Sequence, residues 1–121
     1  MENLVNWVEI PVSDLNRASA FYSQILGITI TRFSIGSTAY GLFPTEDQKN
    51  TGALAQGEYY VPSADGVIIY LDGGEDLNNI LNKVNDAGGQ VIMEKTFITN
   101  EAGFIGMFID TEGNKIGIQN M

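Results

Sequence analysis

The chain of 121 residues contains no cysteine and no histidine. The first absence rules out disulfides and thiol nucleophiles and accords with a reducing compartment. The second rules out Ser–His and Cys–His pairs and the two-histidine, one-carboxylate site of oxygen-activating iron. Together they remove the ligand types that Zn²⁺, Ni²⁺ and Fe²⁺ favour, leaving carboxylates, amides and carbonyls for a harder cation such as Mg²⁺, Mn²⁺ or Ca²⁺. Basic residues are also scarce: six Lys and Arg stand against fifteen Asp and Glu, for a formal net charge of −9. Nucleic-acid binding is driven largely by basic side chains displacing counterions, so neither nucleic acid nor an anionic membrane is an expected partner. No apolar run approaches the roughly 20 residues of a membrane span. Met1-Glu2-Asn3 lacks the basic and apolar regions of a secretion signal. The expected location is cytoplasmic. No P-loop or dinucleotide-type glycine run is present.

What remains is the composition of an ordinary globular protein, 44% hydrophobic and 17% charged, in a chain long enough for one real core. Its clearest internal feature is a phrase written twice. Asp14-Leu15-Asn16 opens an amphipathic run that stops at Gly27, and Asp76-Leu77-Asn78 opens another that stops at Gly88-Gly89. Each run follows an apolar strand-like segment, Val8 to Val12 and then Val67 to Leu71, and precedes further strands. Phrase, helix pattern, glycine stop and flanking strands recurring in order indicate two copies of one unit. The expected fold is α+β: two βαβββ modules, about 4–57 and 67–121, joined by a linker of about 58–66. Their sheets are expected to form a single cup enclosing a shared cleft, with the helices outside and a small molecule inside.

Local signals fill in the elements. Val8, Ile10 and Val12 alternate with Trp7, Glu9 and Pro11, the period of a strand with two different faces. Ser13-Asp14 supplies a helix N-cap, and Leu15, Ala18, Phe21, Tyr22, Ile25 and Leu26 follow at helical spacing. Ile28–Phe33, Thr38–Phe43 and the small-residue run Gly52–Gly57 read as strands, with 44–51 as a loop. In the second unit Glu75-Asp76 caps a stripe of Leu77, Ile80, Leu81 and Val84. Strands are predicted at Val91–Met93, Phe104–Ile109 and Lys115–Gln119, separated by turns at 100–103 and 111–114. The acidic pairs Glu46-Asp47 and Glu75-Asp76 read as turn and cap residues.

If Val8, Ile10 and Val12 pack on the helix, Trp7, Glu9 and Pro11 face the cup. A carboxylate between Trp and Pro would be partly desolvated, which raises its pKa and suits it to a general base. Two readings of Glu9 stand side by side. It binds a cationic or hydrogen-bond-donating ligand or abstracts a proton, or it is satisfied by Lys95, Arg32 or tyrosine hydroxyls and only fixes the cup. Trp7 has the ring to stack on a planar ligand, or serves as a core or dimer contact. Tyr40, Tyr59 and Tyr60 are candidates for the rim, and Met93, Met107 and Phe108 for core packing.

The run Val12-x-Asp14-Leu15 … Phe21-Tyr22 … Leu26-Gly27, with Asp110-Thr111-Glu112-Gly113-Asn114-Lys115-Ile116 near the end, resembles the vicinal oxygen chelate superfamily. That group includes glyoxalase I, extradiol dioxygenases and bleomycin resistance proteins. The segment 60–66 and the ending 113–117 are similar to a branch described as glyoxalase-related or bleomycin-resistance-like. The resemblance covers nearly the whole chain and implies the paired βαβββ cup and a homodimer. In metal-dependent members four inward side chains hold one divalent ion. The inherited positions fall here on Trp7, on about Val67, within 39–42 and on Gly117, none of which supplies an imidazole or carboxylate. Gln119, two residues beyond Gly117, is placed on the same inward face as a ligand-contact candidate. The resemblance therefore implies a glyoxalase- or bleomycin-resistance-like binding protein for a small organic molecule, without metal or other cofactor. The alternatives are a lyase, isomerase or dioxygenase with an atypical metal site or with Glu9 as base, and a regulatory subunit with a vestigial cup.

Overall fold

The computed structural model describes residues 4–44 and 51–120. The first unit runs β1 (Val8–Pro11), α1 (Leu15–Leu26), β2 (Thr31–Ile35), β3 (Thr38–Leu42) and β4 (Gly52–Gln56). The second runs β5 (Tyr70–Asp72), α2 (Asn78–Ala87), β6 (Gln90–Thr99), β7 (Gly103–Ile109) and β8 (Lys115–Asn120). Helix α1 is capped as its sequence requires. The Asp14 carboxylate accepts from the Arg17 amide at 3.0 Å, and Gly27 closes the helix at φ 65°, the left-handed region that glycine occupies without strain. Helix α2 begins one residue later than the phrase predicts. Leu77 occupies the cap position with helical angles and no side-chain bond, while the Asp76 carboxylate accepts from the Asn78 amide at 3.0 Å. Gly88 ends it at φ 108°.

The two units fold alike. Each makes a four-stranded mixed sheet, in the orders β1-β4-β3-β2 and β5-β8-β7-β6, with one parallel pair (β1/β4, β5/β8) and two antiparallel pairs. One face of each sheet packs on the helices, which touch each other, so a single core draws on both units. It contains Ile10, Leu15, Phe21 and Tyr22 from the first and Leu77, Val84, Phe108 and Ile118 from the second. Among the described residues no strand of one sheet contacts a strand of the other, and the sheets do not close into one. The shared cleft expected from the repeat is therefore open within one chain. No helix among the described residues is long and apolar enough to cross a membrane.

Several boundaries shift for physical reasons. Ile28 to Ile30 precede β2 rather than belonging to it, because only Thr31–Ile35 find partners on β3. Val67 and Ile68 lie outside β5, where pairing with β8 covers only Tyr70–Asp72, and Val67 is 91% exposed. Strand β6 extends through Lys95 to Thr99, six residues past the apolar run that predicted it, because β7 pairs with it along its length through register shifts. The pair Glu46-Asp47 lies outside the described residues.

Candidate functional site

Register fixes which side chains share the free face of the first sheet. Ile10 and Leu54 are opposite one another and belong to the core, so Glu9 and its partner Ala53 point the other way. The same alternation puts Trp7, Pro11, Ala55, Leu42, Tyr40, Thr38, Phe33 and Ile35 on that face. Ala53 and Ala55 are fully buried although the helices lie on the opposite side. They form a floor of small residues beneath the larger side chains standing around them. The small-residue run has a second cause at Gly52, where a Cβ would come within 2.6 Å of the Val8 carbonyl oxygen.

Glu9 stands over this floor with both oxygens engaged. The Tyr60 hydroxyl donates to Oε1 at 2.7 Å, and the Trp7 indole N–H donates to Oε2 at 3.2 Å. Tyr60 reaches Glu9 from the connection after β4, which carries no regular structure, and its ring stands edge-on to Tyr40 with centroids 6.5 Å apart. The Tyr60 phenol is held above its ordinary value of 10.0, first by its hydrogen bond to Glu9 and then by the Tyr40 hydroxyl, so it remains a donor across the neutral range. Phe33 adds a further ring at 6.2 Å from Tyr40 and is 48% exposed. Trp7 is 41% exposed, so the indole has its N–H bound and an edge in solvent.

Four of the six residues singled out from the sequence therefore converge: Trp7, Glu9, Tyr40 and Tyr60. Tyr59 does not join them; it is 88% exposed beside its buried-facing neighbour. Gln119 belongs to the other sheet, opposite Asp72 and Ile105, where its amide donates to the Ala102 carbonyl at 2.9 Å. Of the partners considered for Glu9, the tyrosine hydroxyl is the one it has. Lys95 instead pairs with Asp76 at 3.1 Å and lies over the Phe104 ring, and Arg32 bonds Asn16. Phe33 escaped the sequence reading, although its alternation with Ile35 along β2 was a usable signal.

The positions that hold a metal in related cups do not fit one here. Trp7 and Gly117 bring no ligating atom, and Val67 lies outside β5. A Cβ at Gly117 would fall 2.5 Å from the Tyr70 ring, so the room left by this glycine is filled by the protein itself. Among the described residues no three His, Cys, Asp or Glu side chains stand together as a metal-holding group. An open groove of about 1210 Å³ runs between the edge strands β1 and β5, bordered by Val8, Phe43, Gly52, Ile69, Tyr70 and Ile80 among others; none of Trp7, Glu9, Tyr40 and Tyr60 borders it.

Residues 4–118 match the model of the Glyoxalase/Bleomycin resistance protein/Dioxygenase superfamily. The chain belongs to that superfamily. No curated protein matches it. Among solved structures it is similar to the hypothetical protein SA1046 from S. aureus, at 25% identity over 100% of this chain and 99% of that one, with TM-score 0.66. It also resembles a glyoxylase/bleomycin resistance protein/dioxygenase domain from Frankia sp. EAN1pec (16% identity, 98% and 92% coverage, TM-score 0.72). A third is a glyoxalase/bleomycin resistance protein from Albidiferax ferrireducens T118 (18% identity, 98% and 100% coverage, TM-score 0.70). These likenesses carry the fold. Within it, this member of the superfamily presents the Glu9 carboxylate on the first sheet with Trp7, Tyr40 and Tyr60 beside it.

Proposed function

We propose that this superfamily member is a small-molecule-binding protein that works without the superfamily's usual metal, and that its ligand sits on the free face of the first sheet around Glu9. The observation that carries the reading is the Glu9–Tyr60–Trp7 arrangement. A half-buried carboxylate held by two neutral donors, with Tyr40 and Phe33 beside it, is an oriented acceptor in an apolar setting, the kind of polar group that fixes a ligand's orientation. Binding is the reading taken because two donors orient the carboxylate while each oxygen keeps a lone-pair site open to a ligand.

The functional unit in this reading is a homodimer. Trp7, Phe33 and Ile35 on the first sheet and Tyr70 on the second are large, exposed and uncovered within one chain, and a second copy provides the surface that would cover them. Elemental analysis, light scattering and a thermal-shift screen of small aromatic and amine compounds test this together. The expected result is a metal-free dimer whose melting temperature rises with at least one compound, and rises less in Glu9→Gln. Stoichiometric metal, or a rise with metal alone, would overturn the metal-free reading.

A further inference from the structure

Resting on that binding reading, we propose that the site selects organic cations: a substituted ammonium group sits against Glu9 with the rings of Trp7, Tyr40 and Tyr60 around it. Three independent features point to this charge class. The first is isolation of the carboxylate. Of the side chains that register places on this face, Glu9 alone is charged, and its two hydrogen bonds among the described residues are both from neutral donors. Each carboxylate oxygen accepts one hydrogen bond and keeps a further lone-pair site.

The second feature is where the two described cations of the first unit lie, Lys49 being outside the described residues. Arg17 is bound to Glu112 at 2.8 Å, and Arg32 lies on the helix side, bonded to Asn16. Among the described residues no basic side chain pairs with Glu9, which stands half-buried in an environment less polar than water. The third is the geometry of the rings. Tyr60 and Tyr40 stand at 79° to one another, and Phe33 is tilted by 38° from Tyr40, so faces and edges are offered from several directions. Aromatic faces attract a cation through their quadrupole, and this attraction grows as the cation sheds water. An anion meets the opposite situation: a fixed negative charge in the site and a chain of net charge −9 around it.

The protein supplies its own reporter, because Trp7 is the one tryptophan in the chain. Benzyltrimethylammonium, benzyl alcohol and benzenesulfonate share a ring and differ in charge. Each is titrated at matched ionic strength while Trp7 emission is followed, in the wild type and in Glu9→Gln, with circular dichroism confirming the fold. Expected is saturable binding of the ammonium compound at least tenfold tighter than either other probe. Glu9→Gln, which keeps the shape and an acceptor, should abolish that preference, and Tyr60→Phe should retain most of it because the ring remains. Equal or tighter binding of the neutral or anionic probe overturns the cation assignment while leaving a binding site in place. No response to any probe overturns the cation assignment and also counts against the binding reading, which separates the two failures.

Discussion

Tyr22 is an aromatic residue of α1 whose hydroxyl belongs to the other half of the chain. Its ring is fully buried against Phe21 and Phe108, and its hydroxyl donates to Asp110 Oδ2 at 2.6 Å. Burial first, and then the Asp110 carboxylate, hold the phenol well above its ordinary value of 10.0. Such a group contributes stability that is whole below pH 10 and is lost as the pH rises further, when the unfolded chain ionises its tyrosine and the folded one resists. Tyr22→Phe should cost about 1.5–3 kcal/mol in urea unfolding, the range for a hydrogen bond to a charged group, and should flatten the alkaline decline. Glu112 gives the acid counterpart. Its side chain is 0% exposed, and burial alone would raise its pKa. Hydrogen bonds from Arg17, Thr111 and the amides of Asp14 and Ser13 outweigh that and lower it from 4.5 to about 2. Its contribution is therefore complete above about pH 4.5 and fades as the pH falls toward 2. Melting temperatures at pH 3 and pH 6 should differ less in Glu112→Gln than in the wild type; an unchanged difference would remove Glu112 from the acid response. At this scale the sequence was readable where alternation decides orientation, as for Trp7 and Glu9. It offered Tyr60 as a rim candidate and, for Glu9, a tyrosine hydroxyl among three kinds of partner. The pairing of the two was not readable, because it depends on the path of an irregular connection with no periodicity to report it.

Strands and helices were legible to the extent that their own residues determine them. The Asp14 cap and the Gly27 stop each act through local hydrogen bonding and dihedral freedom, and both lie where the spacing predicts. Strand ends depend on partners far along the chain. That is why β5 is shorter than its apolar run and β6 longer, the latter carried to Thr99 by pairing with β7. The parallel pair β1/β4 gives this dependence a test. Gly52 sits opposite Val8, and a Cβ there would meet the Val8 carbonyl oxygen at 2.6 Å, a backbone atom with no rotamer to move away. Gly52→Ala should separate the first residues of the pair and destabilise the protein by about 1–3 kcal/mol, as overpacking does. It should also move the Trp7 emission, because Trp7 leads directly into β1 and adjoins the displaced Val8. Gly36→Ala makes a control, with open space around the Cβ and strain only from its φ of 57°. A Gly52→Ala protein as stable as the wild type, with unaltered emission, would mean that β1 tolerates the shift.

At the scale of the molecule the duplicated phrase showed that there are two modules but not how they are joined. A helical stripe announces that it will be buried without naming what buries it. The junction is partly apolar, with Phe108 of β7 packed on Phe21 and Tyr22 of α1 at centroid distances of 5.7 and 6.3 Å. It is partly polar too: the Asn114 amide donates to the Pro11 carbonyl at 2.7 Å and to Asp110 at 3.0 Å, while Glu112 caps the start of α1. The Asp110-Thr111-Glu112-Gly113-Asn114 turn that carries the family resemblance is thus the clamp between modules. A core shared in this way predicts that neither module unfolds alone. Phe108→Ala removes a fully buried ring from the centre of the junction and should cost about 3–5 kcal/mol. The denaturant transition should stay single, with an unchanged slope, because the surface exposed on unfolding is still that of the whole chain. Fluorescence of Trp7 in the first module and far-ultraviolet circular dichroism of both should then report the same midpoint. Separate midpoints for the two probes would show modules that hold their structure independently, with the clamp acting as a contact rather than as part of the core.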